Sequence, residues 1–307
     1  MPKRCRLAVT LGDPRGIGPE VATAATEALL ESDPEVELVF FGPGELLPDG
    51  FAGHPVHGWD GTEKGAGACA GRAVQEAVDW AMQEGAGLVT APIHKPALRL
   101  AGWDVPGHTE LLQSLTGAPR VGMLMAAERT KLGGPLRILL CTTHIALRQV
   151  AEALSTELIV EQAKLLDDAL RRQWRLPSPR LALCALNPHA SDQGLFGDEE
   201  DRIFAPAVEN LRAEGISVSA PLPADTVFSR ALGGEFDAVV APYHDVGMAA
   251  FKTVSFGRGV NVTLGLPFTR TSPDHGTAFD LVGSGRADPS SMIEAIRLAA
   301  RLTRERL

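Results

Sequence analysis

Short apolar runs separated by amphipathic helical stretches recur along all 307 residues, and this alternation limits the folds open to the chain. The runs "LAVTL" (7–11), "VELVFFG" (36–42), "GLVTAP" (87–92), "LRILLCTTH" (136–144), "RLALCALNPH" (180–189) and "DAVVAPYH" (237–244) have the length and content of buried strands. Between them, residues 69–85 place apolar side chains at 73, 74, 77, 78, 81 and 82, a helical spacing closed by Gly85. Further helices are predicted over 148–173, near 199–214 and over 289–305, the last after Asp288-Pro289. Strands alternating with helices predict parallel βαβ units with helices on both sheet faces. The length calls for two domains. Aromatic residues are only 5% of the chain, which favours tightly packed α/β layers over an aromatic-rich sandwich. "ERTKLGGPL" (128–136) and "RRQWRLPSPR" (171–180) read as exposed turns, the first a candidate domain boundary.

The net charge of -9 bears on partners. A protein that grips nucleic acid through its phosphates needs a basic excess or stripe, and the arginines here are dispersed. An anionic small molecule stays open, because a few local cations outweigh the global charge at short range. No apolar stretch approaches the ~20 residues that span a bilayer, and the run at the N-terminus is too short for a signal-peptide core. Cys5, Cys69, Cys141 and Cys184 form no C-x-x-C pair and read as reduced thiols, which fits a cytoplasmic location.

Three predicted strands finish in a histidine: His144, His189 and His244. In open α/β sheets, ligands bind outside the carboxyl ends of strands. Three imidazoles delivered there predict a site for a divalent transition metal with open positions for substrate. Such a site serves an oxidoreductase, and it would equally activate water in a hydrolase. His94, in "APIHK", also follows a strand; His54 and His57 read as surface residues.

"GDPRGIGPE" (12–20) resembles a glycine-rich cradle but satisfies neither phosphate-loop pattern. Val21 stands where a Rossmann fingerprint needs its third glycine, and no Lys-Ser or Lys-Thr follows Gly18. "GHTE" (107–110) offers His108 and Thr109 as neutral hydrogen-bonding groups, and "PADTVF" (223–228) puts Asp225 on a loop. Lys252, Asn261 and Arg270 lie among small residues; lysine and arginine are natural partners for phosphate or carboxylate.

Taken in order, "GDPRGIGPE", "TAPIHK", "GHTE", "TTHIALR", "NPHA", "PLPADTVF", the "YHD-G" pattern and "FGRGVNVTLGLPFTRTSPDHGTAFDLVGSGRAD" closely resemble the 4-hydroxythreonine-4-phosphate dehydrogenases of vitamin B6 biosynthesis, from about residue 7 to the C-terminus. The resemblance implies a homodimer of subunits with two α/β/α domains and a cleft between them, similar in fold to isocitrate and isopropylmalate dehydrogenases. The expected domains are 1–128 plus 255–307 on the cofactor side, and a central 129–254 carrying the metal ligands and the dimer interface. It implies oxidation of 4-phosphohydroxy-L-threonine at its secondary hydroxyl, then decarboxylation to 3-amino-2-oxopropyl phosphate. The cofactors implied are NAD or NADP and a divalent metal (zinc, magnesium or cobalt). Relatives act on other phosphorylated hydroxy acids, such as threonate or erythronate 4-phosphates, which makes these the alternative substrates.

Carried over to this sequence, His144, His189 and His244 would be metal ligands, one crossing from the partner subunit. His108, Thr109, Lys252, Asn261 and Arg270 would hold substrate, with Asp225 nearby. His275, Gly276, Thr277 and Asp280 would contact the cofactor, and Lys252 or Asp245 would move protons. Two departures adjoin expected ligands. Val246 replaces a glutamine of the family's "YHDQG", and Ser191-Asp192 replaces Gly-Glu of "NPHAGE".

Overall fold

The structure is a computed structural model that describes residues 5–30 and 35–306. Eleven strands occur among these residues: β1 (Cys5–Thr10), β2 (Val36–Gly42), β3 (Ala52–Pro55), β4 (Gly87–Thr90), β5 (Gly122–Ala127), β6 (Leu136–Thr142), β7 (Arg180–Cys184), β8 (Ser217–Leu222), β9 (Ala238–Tyr243), β10 (Val260–Leu264) and β11 (Arg270–Pro273). The chain divides into two compact units, Met1–Val121 with Val260–Leu307, and Gly122–Gly259. These divisions differ from the expected limits at 128/129 and 254/255. The physical reason at the first limit is β5, which pairs antiparallel with β6 and so belongs to the second unit; the second limit falls where β10 begins. "ERTKLGGPL" is accordingly the turn of that hairpin and not a boundary; within it Thr130 N donates to Gly134 O at 3.2 Å.

In the first unit the strand order is β3-β2-β1-β4-β11-β10, parallel except for the antiparallel β10–β11 hairpin. The helix Glu63–Glu84 joins the core of this unit through Cys69, Ala73, Val74, Ala77, Val78 and Ala81, all buried. Thr62 caps its start by accepting from Gly65 N at 3.0 Å, and Gly85 ends it at φ 65. Its small residues let the short helix Lys95–Leu100 come close. A Cβ added at Gly67 would be driven into the carbonyl oxygen of Ala97. That contact places His94 and Lys95 beside the carboxyl end of β4.

In the second unit the order is β5-β6-β9-β7-β8, with β6, β9, β7 and β8 parallel. Its core includes Met125, Ile138, Leu140, Ala182, Val227, Val239 and Phe251. Val246, the departure beside His244, packs partly buried against this cluster. The predicted helix over 148–173 is interrupted. A turn at Val150–Ala153 stops at Leu154, and Ser155 caps a new helix, Thr156–Arg172, by accepting from Leu158 N at 3.1 Å. All four cysteines are free and buried, and burial pushes Cys141 and Cys184 up to about 12. Among the described residues no helix is long and apolar enough to cross a membrane.

Gly67→Ala tests the close helix approach. Alanine gains about 1 kcal/mol of helix propensity over glycine, but overpacking typically costs ~1–3 kcal/mol. The expected result is a lower thermal unfolding midpoint, followed by circular dichroism. An unchanged or raised midpoint would show that the two helices have room to spare.

Candidate active site

The second unit brings two of the three predicted imidazoles together. β6 and β9 are adjacent and parallel, with Thr142 opposite Tyr243, so the residues leaving their carboxyl ends are neighbours. His144 lies two residues beyond β6 in left-handed backbone at φ 46. His244 opens the helix His244–Ser255 directly after β9. Their ring centroids are 5.5 Å apart, and both line a cavity of about 150 Å³ with Thr142, Thr143, Tyr243 and Asp245. Asp245 Oδ1 is 2.7 Å from His244 Nδ1. With Nδ1 donating to that carboxylate, Nε2 keeps its lone pair for a ligand, the usual way an imidazole ligand is oriented.

His189 sits elsewhere. β7 ends at Cys184, so His189 does not finish a strand as the sequence reading expected. Instead it enters a left-handed run: φ is 52, 55, 69, 45 and 59 at His189, Ala190, Ser191, Asp192 and Gln193. Its ring lies 6.3 Å from that of Phe196. Among the described residues no three His, Cys, Asp or Glu side chains form a group able to hold a metal. The donor chemistry of His144 and His244 fits a divalent transition metal at two positions, and a third donor from the same chain is not grouped with them. Glu200, buried at 4% exposure, holds the loop of His189. It accepts from Leu186 N (2.9 Å), Asn187 N (2.8 Å), Asn187 Nδ2 (2.9 Å) and the Ser191 hydroxyl. Burial pushes its carboxyl up, and the donors on Asn187 and Ser191 outweigh that, leaving it below the usual glutamate value. Lys252 is exposed on the helix that His244 opens. Asp225 is exposed in the first turn of the helix Ala224–Leu232, and not on a loop.

The first unit gathers a different chemistry. Arg270, 2% exposed, starts β11; its Nη1 donates to Thr263 Oγ1 at 2.9 Å and its Nη2 to Thr90 Oγ1 at 2.5 Å. Its Nε is buried without a partner, and burial alone pushes its pKa down to about 9. That value is still above neutral, so the guanidinium is charged, yet among the described residues no carboxylate pairs with it. His108 opens the helix His108–Thr116 with Thr109 beside it. The His108 ring is shut from solvent at Nε2, which has no partner. Burial, then the positive charges of Arg270 and Lys95, hold its pKa well below the usual histidine value. Asn261 Oδ1 on β10 is also buried without a partner.

The loop of residues 12–20 braces a second loop. Ile17 N donates to Thr277 O at 3.0 Å, and Glu20 Oε1 accepts from Gly283 N at 2.6 Å. A Cβ at Gly16 would lie 2.9 Å from Thr277 O, which is why a glycine stands there. Asp13 holds Arg15 through both carboxylate oxygens, at 3.1 and 2.8 Å, and the Arg15 guanidinium lies 5.3 Å from the Phe279 ring. His94 meets the same ring edge-on at 5.1 Å. Of the residues expected to meet a cofactor, His275 has its Nδ1 3.0 Å from Gly276 O and its Nε2 buried without a partner. Thr277 carries the bracing carbonyl, Gly276 has open space where a Cβ would stand, and Asp280 is exposed in the turn Phe279–Leu281. The sequence reading missed Asp13, Arg15, Lys95, Thr90, Thr263 and Glu200. All but Glu200 lay inside quoted motifs, where nothing local singled them out, and Glu200 lay outside every motif.

Residues 54–299 match the family model described as pyridoxal phosphate biosynthetic protein PdxA. A 4-hydroxythreonine-4-phosphate dehydrogenase of Chromobacterium violaceum is 41% identical, with 98% of each chain covered. The crystal structure of a 4-hydroxythreonine-4-phosphate dehydrogenase from Klebsiella pneumoniae matches with a TM-score of 0.85 at 37% identity, covering 97% of this chain and 99% of that one. A beta-decarboxylating dehydrogenase from Thermococcus kodakarensis shares the fold, with a TM-score of 0.54 at 16% identity over 96% of this chain and 83% of that one. Matched by the family model over most of its length and by relatives end to end, the chain belongs to the PdxA family.

Proposed function

We propose that this chain catalyses the oxidation of 4-phosphohydroxy-L-threonine by NAD or NADP, with decarboxylation to 3-amino-2-oxopropyl phosphate. The observation that carries this reading is the buried, charged Arg270 with no carboxylate partner, beside orphaned polar atoms on His108 and Asn261. A buried charge left unpaired is costly, so the pocket is built for an anion that arrives with the ligand.

Arg270 and Lys95 supply the positive field, and neutral His108, Thr109 and Asn261 supply directional hydrogen bonds to phosphate or carboxylate. His144 and His244 would hold a divalent metal, with His189 as third ligand from a second copy of the chain in a homodimer. His275, Gly276, Thr277 and Asp280 would hold the nicotinamide cofactor; the unpartnered His275 Nε2 fits that role. When bound, the metal supplies Lewis acidity at the substrate oxygen and the cofactor accepts hydride. Asp245 is committed to His244 Nδ1, which leaves Lys252 as the group that moves the proton of the substrate hydroxyl. Asp225 borders the substrate. The buried thiols fit a cytoplasmic setting.

The direct test is metal-supplemented reduction of NAD and of NADP with 4-phosphohydroxy-L-threonine, threonate 4-phosphate and erythronate 4-phosphate. Turnover fastest on the first supports the reading; turnover only on a sugar acid moves the substrate, and hydrolysis without nicotinamide overturns it. Arg270→Lys keeps the charge and loses the fork. Loss of a charge-assisted bond worth ~1.5–3 kcal/mol should lower kcat/KM about tenfold or more. An unchanged KM would place the phosphate elsewhere.

A pH effect follows from His108. In the folded chain it stays neutral well below the ordinary value of 6.5, whereas the unfolded chain takes up its proton near 6.5. The unfolded state thus binds more protons below that value, and stability falls as pH drops. His108→Gln should flatten the fall in unfolding midpoint between about pH 7 and 5. An equally steep fall in the variant would assign the dependence to other groups.

A further inference from the structure

We propose that Glu200 is the positioning residue for His189: its carboxylate pins the left-handed run that presents the imidazole. The proposal rests on the reading of His189 as a metal ligand, and the experiment below separates the two.

Five successive residues other than glycine, His189 to Gln193, hold positive φ, and Gly194 continues at φ 90. Left-handed backbone costs an L-residue ~1–2 kcal/mol, so such a run persists only where its surroundings over-determine it. β7 has ended at Cys184, and the backbone bonds within the run are turn bonds, among them Ala190 N to Asn187 O at 3.2 Å and Phe196 N to Ser191 O at 3.0 Å. The side-chain restraint comes from Glu200. One carboxylate oxygen takes the backbone N–H groups of Leu186 and Asn187, at 2.9 and 2.8 Å, where the chain leaves β7. The other takes Asn187 Nδ2 at 2.9 Å and the Ser191 hydroxyl. The two oxygens therefore clamp the residues on both sides of His189, its entry at Asn187 and its exit at Ser191. Asn187 Nδ2 is fixed further by Glu199 Oε2 at 2.7 Å.

Glu200 itself sits on a rigid base. It opens a wide helical turn, Glu200–Phe204, that runs into the helix Ala205–Ala213, with Ile203 and Phe204 buried beneath it. Such wide turns are frequent at functional sites. Ser191 also gains a meaning. Where the family's motif has glycine, this chain has a serine at φ 69, and its hydroxyl reaches Glu200. The added bond offsets the strain that glycine avoids, so the departure keeps the turn and changes how it is held.

The test uses the purified full chain, stripped with chelator and titrated with cobalt(II), reading both affinity and the visible absorption of the bound ion. Glu200→Gln matches the carboxylate in size but puts an amide N–H₂ among donors. Loss of groups that orient metal ligands costs 10–100-fold in metal affinity, and that weakening is expected, with an altered cobalt spectrum. Adding Ala190→Gly relieves a residue at φ 55 without touching Glu200, and should recover part of the affinity. Recovery is the outcome a merely structural role would not produce. His189→Ala is the reference. If it loses cobalt while Glu200→Gln binds with unchanged affinity and spectrum, the positioning role is overturned and the ligand reading stands. If His189→Ala binds cobalt as tightly as the parent, the ligand reading falls and takes the proposal with it. Should Glu200→Gln fail to fold, Ser191→Ala removes one donor and keeps the carboxylate. It is expected to weaken cobalt in the same direction by a smaller factor, and no change there overturns the proposal.

Discussion

An arginine buried without a carboxylate governs the first unit. The β10–β11 hairpin, antiparallel beside parallel neighbours, sets Thr263 opposite Arg270 and brings the guanidinium to Thr90 on β4. Threonine hydroxyls satisfy its hydrogen-bonding geometry but contribute no negative charge. Under the proposed function that electrostatic cost becomes a form of specificity: an anion would relieve it, and a neutral ligand would not. Burial, reinforced by the charges of Arg270 and Lys95, keeps His108 neutral, so cationic side chains stand near a directional, uncharged imidazole.

Left-handed backbone marks the second unit, and Ala278 of the first, and in the second unit the buried carboxylate of Glu200 helps to hold it. Apart from Arg175, every described residue other than glycine with positive φ lies at His144, in the run 189–193, or at Ala278. All three places belong to segments that the motifs marked as functional. Strands and helices around them are well packed and regular, so the scaffold can hold loops that would not hold themselves. The chain packs its departures from the family pattern into this scheme. Val246 adds to the core under His244, and Ser191 is tied to Glu200.

Much of the scaffold was legible because burial repeats with a period. The strands at 36–42, 136–142 and 238–243 and the helix ending at Gly85 stand close to where apolar spacing put them. β3, β5, β8 and the β10–β11 hairpin were missed, since short runs carry too few residues to show a period. The break at Leu154–Ser155 was missed for another reason: a cap acts through one hydrogen bond and leaves the apolar spacing on either side intact. The pairing of His144 with His244 was legible, because both follow long buried strands. That His189 lies beyond a strand end was not legible, because nothing local announces a left-handed run that a glutamate eleven residues on helps to hold in place.

By itself the sequence determined the α/β class, the family and a set of candidate site residues, since these depend on composition, periodicity and motif order along the chain. Only the tertiary structure decided which of those residues meet. Adjacency of β6 and β9 joined His144 to His244, the left-handed run beyond the end of β7 carried His189 away from a strand end, and a hairpin put Arg270 among threonines. The physical reason is that pairing and burial are set by contacts between segments far apart in the chain, whereas spacing along a sequence reports only on neighbours.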